Sequence, residues 1–155
     1  MKKRGKRERR KRKSKVSLLV KLLIITAVLT GLYFLASSSL FNVTSFEITG
    51  NSYYDNDEIL MMGGCKTGSN IFWGSGIGEI KDRLEKDAYM EKVKVKRILP
   101  DKIKIELTER KQTAAVMYDD NYAIIDGNSM VLRKSSVAPQ LPLIQGMTIS
   151  KLEVG

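Results

Sequence analysis

Eleven Lys and Arg residues against one acid, Glu8, fill the stretch from Lys2 to Lys15, and the chain then turns apolar from Val16 to Ala36. This step constrains the chain more than any other feature. Of its 27 bases and 17 acids, 11 and 1 lie ahead of the apolar run, so the whole formal charge of +10 sits on one side of it. The remainder, with 16 of each sign, is neutral. About 20 apolar residues at a rise of roughly 1.5 Å each cross a hydrocarbon core. Lys21 lies one turn inside, where its stem can rest in lipid while the ammonium reaches the headgroups. Tyr33 and Phe34 lie near the far end, where aromatic rings favour the interface. Lys11, Arg12, Lys13 and Lys15, with Lys21, set the topology: the tail is expected to stay in the cytosol and everything from Ser37 onward to lie outside.

Two other readings of this end are weaker. Ala36-Ser37-Ser38 resembles a signal-peptide cleavage site, but signal cores run about 7–15 residues and this run is longer. Polybasic runs bind phosphates non-specifically. Beside a span, however, each Lys or Arg gains about 1 kcal/mol from anionic lipid, and no aromatic residue interrupts the run as a stacking platform. The expected partner of the tail is the lipid bilayer, with no specific nucleic acid.

The composition argues against an enzyme. There is no histidine, the commonest general base and metal ligand. Cys65 is the only cysteine, and its setting after Met61-Met62-Gly63-Gly64 suits a buried small hydrophobe. Gly74-Ser75-Gly76-Ile77-Gly78 lacks the Lys-Ser/Thr of a phosphate loop. Asn42-Val43-Thr44 fits a glycosylation sequon, a pattern common by chance. No cofactor, metal or small-molecule substrate is expected.

The region after the span reads as strand, helix, helix, strand, strand. Phe46–Thr49 alternates and meets Gly50-Asn51. Asp55 with Glu58 forms a capping box for a helix carrying Ile59, Leu60 and Met62 and ended by Gly63-Gly64. Thr67–Gly74 is a loop with a hydrophobic plug, in which Trp73 is expected to be a buried anchor. Ile77, Ile80, Leu84 and Ala88 share one helical face, and Glu79–Arg83 and Asp82–Lys86 are spaced as ion pairs on the other. Lys92-Val93-Lys94-Val95-Lys96 and Lys102–Thr108 alternate strictly around a Leu99-Pro100-Asp101 turn, giving an antiparallel hairpin with Val93, Val95, Ile103, Ile105 and Leu107 inward. Arg97 breaks the alternation and is expected to pair with Glu109 or Glu106. Both helices should pack on one side of the small sheet. Beyond Thr113, short strands are expected at Ala114–Tyr118, Tyr122–Ile125, Met130–Leu132 and around Leu141–Ile144, with too few apolar residues to close a stable sheet alone.

These pieces together resemble the FtsQ/DivIB cell-division proteins. Phe46, Ile48, Gly50 and Asn51 look like that family's first strand, Asp57-Glu58-Ile59 its first helix, and Gly68 with Asn70-Ile71-Phe72 its central loop. Val93, Val95, Arg97, Leu99-Pro100, Ile103, Ile105 and Thr108-Glu109-Arg110 look like its hairpin. Tyr122–Gly127 and Leu141–Ile144 look like the start of its β domain. The resemblance implies an α+β chain: a basic tail at 1–15, a transmembrane helix at 16–36, a linker at 37–42, a POTRA domain (β-α-α-β-β) at 43–112, and at 113–155 the first part of an antiparallel β domain that family members continue further. It also implies a non-catalytic divisome scaffold, enriched at the septum, whose partners are membrane-anchored proteins of the FtsB/DivIC and FtsL kinds. The family's late β-domain contact cannot be carried onto this chain. The candidate contact surface here is the edge strand Lys92, Val93, Lys94, Val95, Lys96 and Arg97, where a partner segment could add by main-chain bonding. For any single lysine the bland reading, that it only protects the edge and keeps it soluble, is favoured over a contact role. Two further readings are a POTRA-containing transport or outer-membrane assembly factor, which would carry several such repeats and a barrel, and a membrane-tethered enzyme, which the missing histidine disfavours.

Overall fold

The computed structural model describes residues 4–146 and 153–155, with side chains from residue 17 on. The chain forms two units, 1–41 and 42–155. The first is a single helix, α1 (Arg4–Ala36), followed by a 3₁₀ turn at Ser39–Phe41. Within α1, the 20 residues Ser17–Ala36 are long and apolar enough to cross a membrane. The helix starts well before residue 16, because the basic tail is built mostly of Lys and Arg, which are good helix formers, and contains no proline to stop it. Lys21 is exposed on α1. Lys11, Arg12, Lys13 and Lys15 lie in its backbone, their side chains outside the described residues.

The second unit begins with β1 (Ser45–Thr49), then α2 (Asn56–Gly63), α3 (Ile77–Leu84), β2 (Met90–Ile98) and β3 (Lys102–Glu109). The capping box forms as the spacing dictates: the Glu58 N–H donates to Asp55 Oδ1 at 2.8 Å and the Asp55 N–H to Glu58 Oε2 at 3.0 Å. Gly64 ends α2 in the left-handed region at φ 62°. α3 presents Ile80 and Leu84 to the core and pairs Glu79 with Arg83 at 3.2 Å. It ends at Leu84, one turn short of Ala88. Lys86 therefore falls beyond the helix, and the pair that forms is Lys81–Glu85 at 3.5 Å, not Asp82–Lys86.

β3 is the centre of the sheet, whose order is β1-β3-β2. β1 pairs with it in parallel and β2 antiparallel. Strict alternation puts Ile103, Ile105 and Leu107 inside with Val93, Ile59, Ile80 and Leu84, and leaves the lysines outside; Val95 is half-buried. The buried plug of the loop at 67–74 is two residues ahead of the one expected. Ile71 is fully buried and Trp73 is 63% exposed, so Trp73 is not the anchor. The Asn70 Oδ1 accepts the N–H groups of Phe72 (2.9 Å) and Trp73 (3.4 Å), a local turn that sends Ile71 inward and Trp73 outward.

The remaining strands are β4 (Ala114–Tyr118), β5 (Asn121–Ile125), β6 (Val131–Ser135) and β7 (Leu143–Ile144), in a sheet ordered β6-β5-β4-β7. Asp119 and Asp120 both take positive φ, 44° and 61°, which matches the twist of the β4–β5 hairpin. This sheet is not wholly antiparallel: β7 pairs with β4 in parallel through Ala115–Leu143 and Val116–Ile144, since the long connection from β6 returns it to the far edge.

Gly50, at φ 91°, has the Leu107 carbonyl where a Cβ would sit. Gly50→Ala is therefore expected to destabilise by at least about 2 kcal/mol, from strain and collision with backbone. Asp55→Ala should cost only about 1 kcal/mol, from the lost cap. Thermal or denaturant unfolding of the two variants checks the order.

Candidate functional site: an edge strand and a polar hinge

β2 lies at the edge of its sheet, and among the described residues no strand pairs with its outer side. The residues expected as a site are spread over both its faces. Val93 is buried in the core and Val95 partly so, while Lys92, Lys94 and Lys96 are exposed. The register places Lys94 opposite Glu106 and Lys96 opposite Lys104. Lys96 Nζ donates to Glu106 Oε2 at 2.7 Å, and Lys104 to Glu47 Oε1 at 3.0 Å on the parallel neighbour. The Lys96 bond holds the Glu106 carboxyl below its ordinary range. Bonding to Glu47 raises the Lys104 ammonium. Both pairs are exposed, so each contributes little stability and their effect is on the local charge pattern.

Arg97 does not pair with Glu106 or Glu109. Its Nε donates to the Ile71 carbonyl at 2.7 Å, because Arg97 falls on the inward parity of β2 and points toward the loop, away from the carboxylates. It is a strut for the loop that buries Ile71.

Glu109 does different work, which the pattern of residues did not reveal. It is nearly buried, and its Oε2 accepts the N–H groups of Ser52 (2.7 Å) and Tyr53 (2.6 Å) and the Ser52 hydroxyl (3.1 Å); its Oε1 accepts the Tyr54 N–H at 3.4 Å. One carboxylate thus satisfies the β1–α2 loop. That loop carries Tyr53, stacked on Tyr89 with ring centroids 4.0 Å apart and planes 8° from parallel. Tyr54 donates to Asp87 Oδ2 at 3.1 Å. Its hydroxyl is raised above the usual phenol range, first by burial and then by Asp87.

Arg110, the next residue, reaches the other way. Its Nη1 lies 3.0 Å from Asp126 Oδ2, on the β5–β6 turn, while Asp126 Oδ1 accepts the N–H groups of Asn128 and Met130 at 2.8 Å each. Gln112 Nε2 donates to the Tyr89 hydroxyl at 3.0 Å. The three-stranded and four-stranded sheets are thereby joined through a short polar hinge. Cys65 is half-buried, and burial pushes its thiol up to about 11, which favours the protonated form.

Residues 41–110 match the FtsQ-type POTRA domain family. The chain is 30% identical over 117 residues to cell division protein DivIB of Clostridium acetobutylicum, covering 74% of this chain and 47% of that protein. It is 30% identical over 106 residues to cell division protein FtsQ of Koribacter versatilis, covering 66% and 30%. With DivIB of Bacillus subtilis the identity is 24% over 126 residues, covering 81% and 48%. The chain thus spans less than half the length of each of these relatives.

Burial opposes the charge on Asp126, but the Met130 and Asn128 N–H groups and Arg110 outweigh it and hold the carboxyl below its ordinary 3.8. A carboxyl depressed by folding adds stability above about pH 4 that is lost as pH falls through the folded value. The melting temperature of the wild-type chain is expected to fall more steeply between about pH 5 and pH 3 than that of Asp126→Asn, which has no such charge to lose. A second expectation concerns Glu109→Ala, which removes the acceptor of three partly buried backbone donors and should cost about 1–2 kcal/mol in denaturant unfolding.

Proposed function

For this homologue of the DivIB and FtsQ cell-division proteins, with its FtsQ-type POTRA domain at residues 41–110, we propose a role as a non-catalytic, membrane-anchored scaffold of the division machinery. The observation that carries the reading is the edge of β2, which no strand among the described residues covers, on a domain that follows directly after a candidate span. Anchoring confines the domain to a thin layer beside the membrane, which raises its effective concentration for partners held in the same layer. The excess of positive charge ahead of the span supports a cytosolic tail and an external domain. Partners are membrane-anchored division proteins of the FtsB/DivIC and FtsL kinds, at the septum.

An extended partner segment joins β2 by main-chain hydrogen bonds, and Lys92, Lys94 and Lys96 favour an acidic one and speed encounter. Proline at position 95 interrupts such a ladder. Full-length Val95→Pro is expected to lose co-purification with membrane-anchored division partners and its place at mid-cell. Because Val95 is partly packed, the exposed double variant Lys92→Glu/Lys94→Glu serves as a second arm. It should associate several-fold more slowly at low salt, with a melting temperature lowered only slightly by the like charge that Lys94→Glu sets opposite Glu106. Normal capture and localisation by both folded variants would defeat the edge-strand reading.

A further inference from the structure

Three exposed apolar residues gather at one end of the second unit. Trp73 is 63% exposed, Leu99 57%, and Ile98 lies beside Leu99 at the hairpin turn. Their loops are fastened to the first residues of the domain. The Val43 N–H donates to the Ser69 carbonyl at 2.9 Å, and the Gly68 N–H to the Val43 carbonyl at 2.8 Å. The Thr44 N–H donates to the Asp101 carbonyl at 2.8 Å, and its hydroxyl to Asp101 Oδ2 at 2.7 Å. Asn42 bridges to Asn70. Asn42 follows the last residue of the candidate span, Ala36, by so few residues that a fully extended connection reaches only about 20 Å. The headgroup layer itself is several ångströms deep on each side of the core. A connection this short allows Trp73 and Leu99 to reach lipid.

The chemistry at this end suits that surface. Indole is the side chain most at home at a bilayer interface, with an apolar body and one N–H for the wet side. Trp73 shares a hollow of about 450 Å³ with Phe72 and Arg97. Lys66 and Lys102 are exposed at the same end. Of the acids there, Asp101 is engaged by Thr44 and Glu79 by Arg83. Cations flanking an apolar tip are attracted by anionic headgroups, at a distance within the screening length.

We propose that the tip formed by Trp73, Ile98 and Leu99, flanked by Lys66 and Lys102, seats on the headgroup layer of an anionic bilayer and fixes the domain's orientation to the membrane. This rests on the reading of Ser17–Ala36 as a span. Trp73 is the chain's only tryptophan, so its fluorescence reports the contact without a label. The full-length chain is reconstituted into phosphatidylcholine–phosphatidylglycerol vesicles with acyl chains brominated near the headgroup. The expected result is emission shifted to shorter wavelength than in detergent, quenching by the brominated lipid and protection from aqueous acrylamide. Leu99→Ser/Lys102→Glu should lose the shift and the quenching while keeping its far-ultraviolet circular dichroism. A chain that floats with the vesicles, yet leaves Trp73 as open to acrylamide as in detergent, overturns the seating and leaves the span standing. Failure to float overturns the span and the seating together. Shielding that appears only when a second protein is added overturns lipid as the occupant.

Discussion

The region after the candidate span depends on one carboxylate. Glu109, itself buried, accepts hydrogen bonds from three successive backbone N–H groups of the β1–α2 loop and one hydroxyl, all partly buried. Charge-assisted bonds of this kind are strong because the alternative is a set of stranded donors. The loop they fix places Tyr53 against Tyr89 and leads into the Asp55 cap, so the helix layer and the aromatic stack are both set from the end of β3. Arg110, the first residue past the end of β3, reaches Asp126 on the β5–β6 turn. Two adjacent residues of opposite charge thus serve two different pieces of structure.

The division of labour between the faces of β2 follows from the alternation of side chains along a strand. Its inward residues hold the core and, at Arg97, the loop that buries Ile71. Its outward lysines face solvent beside a backbone edge that no neighbour within the described chain fills. Long, flat edges invite indiscriminate pairing, and cations guard against it. Under the proposed docking the same cations also select a partner by charge, so protection and recognition draw on one set of side chains.

Much of this was readable from residues alone, for physical reasons. The Asp55–Glu58 box and the Gly64 cap are local chemistry, decided within four residues of chain. The hairpin has a strict period of two, and β3 buries the side chains that the period assigns. What failed needed three-dimensional information. Ile71, Phe72 and Trp73 are consecutive and all apolar, and which one turns inward depends on the Asn70 side chain and the Arg97 bond. The Asp82–Lys86 pair failed because α3 stops a turn early. The partner of Arg97 is a carbonyl distant in sequence, and the partners of Glu109 are backbone donors with no residue-type signature. β7 is two residues long, too short for any pattern to indicate its direction.

The attachment at residues 42–44 has a mechanical consequence. Asn42, Val43 and Thr44 bond in turn to the loop at 68–70 and to the hairpin turn at Asp101 before the chain enters β1. Tension arriving from the N-terminal helix is therefore split between two loops, and the five-residue strand behind them is not the first element to bear it. The domain is gripped by its shoulders: a tug on its leash moves it as a whole before it peels.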